Sequence, residues 1–259
     1  MIETDRGESA DQEAARRIAD ALRFLEAHLP IQRRVVRTGD VLYRAGDRFE
    51  MLYVLNSGLV KIVNVSTDGR EHLVGLHFKG DWLGFDGIAS SVHSCDAVAL
   101  DIGEVWGVRY EALLEACTSQ PGLLHLLHQA MSREIGRDRE TMLSLCTLPA
   151  DARVAEFLRH WAGALSARGI RTDEITLRMT RSEIGNYLGM TLESVSRALS
   201  RLARTDVIRF SEKDRRHIQI PRVAALTAFI ESSVGVRRPY SNGPAASALA
   251  IACASSARV

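Results

Sequence analysis

Residues 177–202 read LRMTRSEIGNYLGMTLESVSRALSRL, and the spacing inside this stretch predicts two short helices joined by a tight turn. Thr180 with Glu183 three residues on is a capping-box start, in which each side chain satisfies a backbone N–H of the first turn. Ile184, Tyr187 and Leu188 form a short apolar face. Gly189 falls where an inter-helix turn needs a positive φ, which a residue without Cβ adopts freely. Thr191 caps a second helix that runs to about Ala203. Its inner face is Val195, Leu199 and Leu202, and its outer face is Glu193, Ser196, Arg197 and Arg201.

That order is a helix-turn-helix, in which the first helix braces the second and the second presents its N-terminal half to a DNA major groove. Arginine bonds two acceptors of guanine and a glutamate accepts from a cytosine amino group, so Glu193, Ser196 and Arg197 are the expected base-reading trio. The competing interpretation of Glu193 and Arg197 is a surface ion pair one turn apart, worth a few tenths of a kcal/mol. The next stretch, VIRFSEKDRRHIQI (207–220), has two β runs around a charged turn. It reads as a wing hairpin. Thr180, Thr191, Arg201, Lys213, Arg215 and Arg216 are the expected contacts to the DNA backbone, which fix position and carry no sequence information.

The charge distribution agrees. The chain has 259 residues and a net charge of +1. Residues 1–150 carry 16 Lys+Arg against 22 Asp+Glu, and residues 151–222 carry 14 against 9, so the basic excess lies in the segment with the helix pair. No apolar run approaches the roughly 20 residues that span a bilayer, and no apolar leader core opens the chain, so a cytoplasmic protein without a membrane partner is expected. Cys95, Cys117, Cys146 and Cys253 form no CxxC pair, and no metal site is expected. No P-loop, GxSxG or HExxH motif occurs in 110–259, so the chain is not read as an enzyme.

Upstream, short β-rich runs at 34–37, 41–43, 51–55, 59–65, 72–77, 97–100 and 105–108 alternate with glycine turns. This pattern predicts an antiparallel sandwich or barrel, with 67–69 as a hairpin turn. From Pro121 the period changes. Leu124, Leu127, Met131, Ile135, Met142 and Leu145 make one stripe on a helix of about 25 residues, with Asp138 as the missing heptad member, and the stripe predicts a homodimer seam. The Ala/Ser-rich end of the chain reads as a flexible tail.

GLHFKGDWLGFDGIASSVHS (75–94), MSREIGRDRETM (131–142), TMLSLCTLPADARVAEFL (141–158) and, above all, residues 177–202 resemble the Crp/Fnr family of bacterial transcription regulators, its Fnr branch most closely. The likeness covers about residues 20–232. It implies an α+β fold: an N-terminal antiparallel, cyclic-nucleotide-binding-like β-roll, a long dimerisation helix and a C-terminal winged helix-turn-helix. The expected division is a flexible N-terminus (1–20), a β-roll effector domain (21–118), a dimerisation helix (119–147), a DNA-binding domain (148–232) and a flexible tail (233–259). The family's E-x-x-S-R pattern falls on Glu193, Ser196 and Arg197, which implies a TTGAT-type inverted repeat, and family members contact RNA polymerase.

The departures bear on the signal. Fnr regulators hold an iron–sulfur cluster with three N-terminal cysteines and one in the roll, but residues 1–94 contain no cysteine and the roll position is Trp106, so a cluster is not expected. The cyclic-AMP branch uses an Arg-Ser pair and an acid, where this chain has His93, Ser94 and Asp81, so a cyclic phosphate loses its bidentate arginine. The candidate effector pocket is Asp81, His93, Ser94 and Cys95. No cofactor is assigned to it, and haem, a redox input at Cys95 or Cys117, or another small ligand stay open. A haem- or redox-sensing variant and an architectural DNA-binding protein are the alternatives to a plain sequence-specific regulator.

Overall fold

The computed structural model describes residues 2–66, 71–170, 172, 174–211 and 216–234. The strands of the first half are β1 (Gln32–Val36), β2 (Val41–Tyr43), β3 (Met51–Ser57), β4 (Leu59–Val65), β5 (Glu71–Phe78), β6 (Trp82–Leu83), β7 (Asp96–Ala99) and β8 (Gly103–Arg109). They pair antiparallel into two four-stranded sheets, ordered β1–β8–β3–β6 and β2–β7–β4–β5. All seven strand runs expected from the sequence are present, and the two-residue β6 had no run long enough to signal it. The expected turn at 67–69 lies outside the described residues. The inner faces of the two sheets enclose one core: Val36, Leu42, Tyr43, Leu55, Val60, Ile62, Leu83, Ala97 and Val105.

The outer face of the first sheet is covered by three helices: α1 (Ile2–His28), α2 (Tyr110–Ser119) and the first half of α3 (Pro121–Thr147). Leu22, Leu25, Leu113, Leu123 and Leu127 pack there on Leu52, Val54, Trp82 and Trp106. Residues 2–20 of the expected flexible N-terminus lie in α1. Once Leu22 and Leu25 are buried, the helix is nucleated, and extending it adds one hydrogen bond for each residue fixed. Asp11 of α1 also accepts a hydrogen bond from Ser166, which anchors the early helix to a distant part of the chain.

The second half holds α4 (Ala150–Ser166), β9 (Glu174–Thr176), α5 (Arg181–Leu188), α6 (Leu192–Arg204), β10 (Arg209–Phe210), β11 (His217–Gln219) and α7 (Val223–Val234). Strands β10, β11 and β9 form a small antiparallel sheet beside the helices. The tail expected from 233 begins inside α7, and residues 235–259 lie outside the described set. Among the described residues no helix is long and apolar enough to cross a membrane.

The two halves share one core. Leu59, Leu73, Leu76, Phe78 and Leu100 of the roll pack with Phe157, Leu158, Trp161, Ile184, Leu188 and Leu199 of the helical half. Phe78 and Trp161 meet edge to face at 5.6 Å. Polar contacts flank this seam. Lys61 Nζ lies 2.7 Å from Glu183 Oε1, and Arg178 Nε lies 2.9 Å from Asp101. Strand β5 is the edge of its sheet, and the Asn186 side chain completes it: the Leu73 N–H donates to Asn186 Oδ1 at 2.6 Å, and Asn186 Nδ2 donates to the Glu71 carbonyl at 2.5 Å.

Leu158 is fully buried at the centre of this shared core. Truncation of a buried leucine costs about 2–5 kcal/mol. Leu158→Ala is expected to lower the urea unfolding midpoint by a matching amount and to loosen both halves together. Two separate transitions, with the roll's midpoint unchanged, would show that the shared core does not couple them.

Candidate functional site

The helix pair forms as its sequence dictates. Thr180 has extended backbone and its Oγ1 accepts from Glu183 N at 3.2 Å, while the Thr180 N–H donates to Glu183 Oε2 at 2.8 Å. Gly189 ends α5 with φ 61°, the left-handed conformation required there. Gly185 has a second constraint: a Cβ at that position would stand 2.6 Å from the Met190 carbonyl oxygen, so only glycine lets the turn approach the helix. Thr191 then caps α6, its Oγ1 accepting from Ser194 N at 3.2 Å.

Helix α6 buries Val195, Ala198, Leu199 and Leu202 and turns Glu193 and Arg197 to solvent. The two are not ion-paired. Arg197 Nη2 donates to Ser194 Oγ at 3.2 Å, and the Glu193 carboxyl is held below its ordinary range first by its own backbone N–H and then by Thr191. The trio is thus presented on one face, with Ser196 half-buried and held by Arg181 Nη1 at 3.1 Å. Arg181 was not singled out in the sequence; as the first residue of α5 it has no pattern of its own that points at α6.

The expected backbone contacts divide. Thr180 and Thr191 are exposed caps at the starts of the two helices, where backbone N–H groups favour phosphate. Arg201 lies 2.6 Å from Asp151 of α4, so its charge leans on its own domain. Arg216 is exposed at the wing, and its carbonyl accepts from Leu177 N at 2.9 Å. Lys213 and Arg215 lie outside the described residues.

The α3 stripe needs one correction. Leu127 is 4% exposed and packs on Trp82 and Leu113, because the first half of α3 covers the roll. Met131 and Leu145 are half-buried. Leu124, Ile135, Asp138 and Met142 are exposed, Ile135 at 48% and Met142 at 63%, so a free apolar row does run along the helix.

The expected effector pocket does not assemble. Asp81 faces α3 and the turn after α4, with Arg137 Nη1 2.7 Å and Arg168 Nη2 3.2 Å away. The acid beside His93, Ser94 and Cys95 is Asp86, which the sequence reading did not select. It accepts from Ser94 N at 2.7 Å, Ser94 Oγ at 3.2 Å and Cys95 Sγ at 3.3 Å, and lies 3.4 Å from His93 Nδ1. Tyr43 stacks on His93 with ring centroids 3.8 Å apart. These contacts occupy the trio in a structural knot. The Cys95 thiol is pushed up to about 12 by burial and by Asp86, and burial also raises Cys117, so neither is poised as a reactive thiolate.

A cavity of about 400 Å³ does lie between the roll and α3. Among the described residues its polar lining is His77, Cys95, Glu134, Asp138, Thr141 and Tyr187, with no Arg or Lys. His77 Nδ1 and Glu134 Oε2 are buried without a hydrogen-bond partner. Burial pushes His77 down to about 4 and Glu134 up to about 7. The roll's fold implies a cyclic nucleotide, but a phosphate set against Glu134 and Asp138 with no guanidinium to receive it does not fit this lining.

Residues 33–120 match the cyclic nucleotide-binding domain family and residues 152–229 the Crp-like helix-turn-helix domain family. The chain is 35% identical over 181 residues to the transcriptional activator protein Anr of Pseudomonas protegens, covering 70% of this chain and 74% of Anr. It is 35% identical over 191 residues to the transcriptional regulatory protein btr of Bordetella pertussis, covering 74% and 79%. Among solved structures, FixK2 from Bradyrhizobium japonicum superposes with a TM-score of 0.68 at 28% identity, covering 77% of this chain and 97% of FixK2.

The position of Glu134 makes stability depend on pH. Its folded value of about 7 stands above the ordinary 4.5, chiefly through burial, with Arg137 opposing and Asp138, Asp81 and Asp86 assisting. The protonated form therefore binds its proton more tightly in the folded chain, and stability falls as pH rises from 4.5 to 7. Glu134→Gln is expected to stabilise the protein by about 1–3 kcal/mol at pH 8 and by little at pH 4.5. Urea denaturation at the two pH values measures the difference, and an equal effect at both would contradict the burial of a charged Glu134.

Proposed function

Because the chain belongs to the Crp/Fnr family of transcription regulators and carries that family's helix-turn-helix DNA-binding domain, we propose that it acts as a homodimer on an inverted repeat with TTGAT-like half-sites, in the bacterial cytoplasm. Glu193, Ser196 and Arg197 read base edges, and Thr180, Thr191, Arg201, Lys213, Arg215 and Arg216 hold the backbone. The observation that carries this reading is the exposure of Glu193 and Arg197, unpaired with each other, on a helix whose opposite face is fully buried. A trio with polar ends and no apolar wedge suits discrimination between base pairs better than architectural bending.

In this proposal residues 21–118 are the effector roll, 119–147 the dimerisation helix and 148–232 the DNA-binding domain. Dimerisation runs along Leu124, Met131, Ile135, Asp138, Met142 and Leu145. Two copies paired there set their α6 helices to successive major grooves, roughly 34–36 Å apart, which is the spacing an inverted repeat requires. Bound dimers then act on transcription by contacting RNA polymerase.

Arg197→Ala is expected to weaken binding to a TTGAT-N4-ATCAA duplex by about 1–3 kcal/mol and to relax selectivity at one base pair. Competition gel shifts at fixed salt measure this, and a uniform loss on all duplexes would reassign Arg197 to the backbone. Asp138 meets its symmetry mate in the proposed seam, and two like charges held close oppose association. Asp138→Ala is therefore expected to tighten the dimer severalfold in sedimentation equilibrium; unchanged or weaker association would place Asp138 away from the axis.

A further inference from the structure

Where α1, α3, the roll and the end of α4 meet, charge is gathered that DNA reading does not use. Asp81 sits between Arg137 and Arg168. The Arg168 side chain is only 9% exposed. Its guanidinium lies 5.1 Å over the Phe78 ring and donates to the Lys79 carbonyl at 2.7 Å and the Ala164 carbonyl at 2.6 Å. These two hydrogen bonds engage two of the five N–H donors that a guanidinium carries, and Asp81 adds an ion pair at Nη2. Arg133, one turn before Arg137 on α3, makes no hydrogen bond or ion pair among the described residues. Burial lowers Arg133 and Arg168 alike, and each is lowered further by repulsion from Arg137. Asp81 thus stands among three mutually repelling guanidinium groups, of which Arg137 also faces Glu134 and Asp138.

The cluster opens on a cavity of about 790 Å³ between α1 and α3. Asp81 is the only carboxylate in its lining among the described residues, whereas Arg17, Arg133 and Arg168 all reach it, with Ser132 and Gln129 as neutral donors. Arg17 is tied only to Glu13, at 3.2 Å on the exposed surface of α1, a contact of little strength. Arg168 is buried beside the exposed Arg133 and Arg17, and gathered positive charge at the mouth of a cavity attracts an anion. At about 100° per residue, Gln129, Ser132 and Arg133 lie on a different flank of α3 from Ile135, Asp138 and Met142, so a partner seated on the apolar row leaves this cavity open.

We propose that this cavity is a binding site for a small multivalent anion of the phosphate type, such as a phosphorylated metabolite, received by Arg133, the unengaged N–H groups of Arg168, and Arg17. The site draws on α1, α3 and the turn that follows α4, and Asp81 ties it to the roll. An anion held there joins the N-terminal helix to the DNA-binding half, and any change it makes in DNA affinity must be matched by an equal effect of DNA on the anion.

Calorimetric titration of the full chain with inorganic pyrophosphate, at constant ionic strength set with chloride, tests the site. Saturable binding of one anion per chain is expected. Arg133→Ala is expected to weaken it at least tenfold while leaving the unliganded circular dichroism unchanged and not lowering the Tm, because Arg133 has no hydrogen bond or ion pair among the described residues to lose and its removal relieves repulsion. Arg17→Ala, on the exposed surface of α1, is expected to weaken it about threefold. Arg197→Ala, on the DNA-reading face, is expected to leave it intact. Absence of saturable binding overturns the proposal, as does binding that survives both Arg133→Ala and Arg17→Ala or is lost in Arg197→Ala. None of these outcomes depends on whether the chain recognises a TTGAT-like site.

Discussion

One apolar seam determines the arrangement of the molecule. The face of the β4–β5 sheet that turns away from the roll interior is not left to water; Leu59, Leu73, Leu76 and Phe78 are buried by α4, α5 and their neighbours. Each such side chain contributes about 1.5–3 kcal/mol when fully buried. The helix pair that carries α6 is therefore seated directly on the roll, in addition to being linked through α3. Any event that alters the register of β4 and β5 reaches α5 through Lys61, Leu73 and Glu71 without crossing solvent.

The parts of this arrangement that were legible in the sequence are those governed by local rules. Thr180, Glu183, Gly189 and Thr191 announce α5 and α6 because caps and positive-φ turns are decided within a few residues. The strand runs are legible because alternation and glycine punctuation are equally local. What could not be read depends on tertiary partners. Leu127 has heptad spacing, yet it belongs to the roll's core because α3 must cover the first sheet before it can meet anything else. Residues 1–20 look polar enough to be loose, but the burial of Leu22 and Leu25 in the following turns sustains the helix. Asp81 and Asp86 are five positions apart on either side of β6, and only the fold shows that the first faces arginines while the second organises His93, Ser94 and Cys95.

The roll shows how a shared scaffold keeps its shape while its chemistry changes. Its sequence places it with cyclic nucleotide-binding domains. Its cavity nevertheless offers a neutral imidazole and a carboxyl group with raised affinity for protons in place of a phosphate receptor. Fold and function are separable in this way because the backbone sets where side chains point, whereas charge and hydrogen-bonding capacity decide what they accept. Tyr187, from the DNA-binding half, also lines this cavity and its hydroxyl lies 3.4 Å from Thr141 Oγ1, so the two halves meet there too.

The amide of Asn186 has a protective side to its role. By pairing with the Glu71 carbonyl and the Leu73 N–H it stands in for a neighbouring strand at the rim of the sheet. An unguarded rim is a template on which another chain can add a strand. If the helical half swings off the roll, β5 loses this guard at the same moment that Leu73, Leu76 and Phe78 lose their cover. Such a displacement would therefore expose a sticky border, and self-association by strand addition is the hazard that the contact between the two halves holds in check.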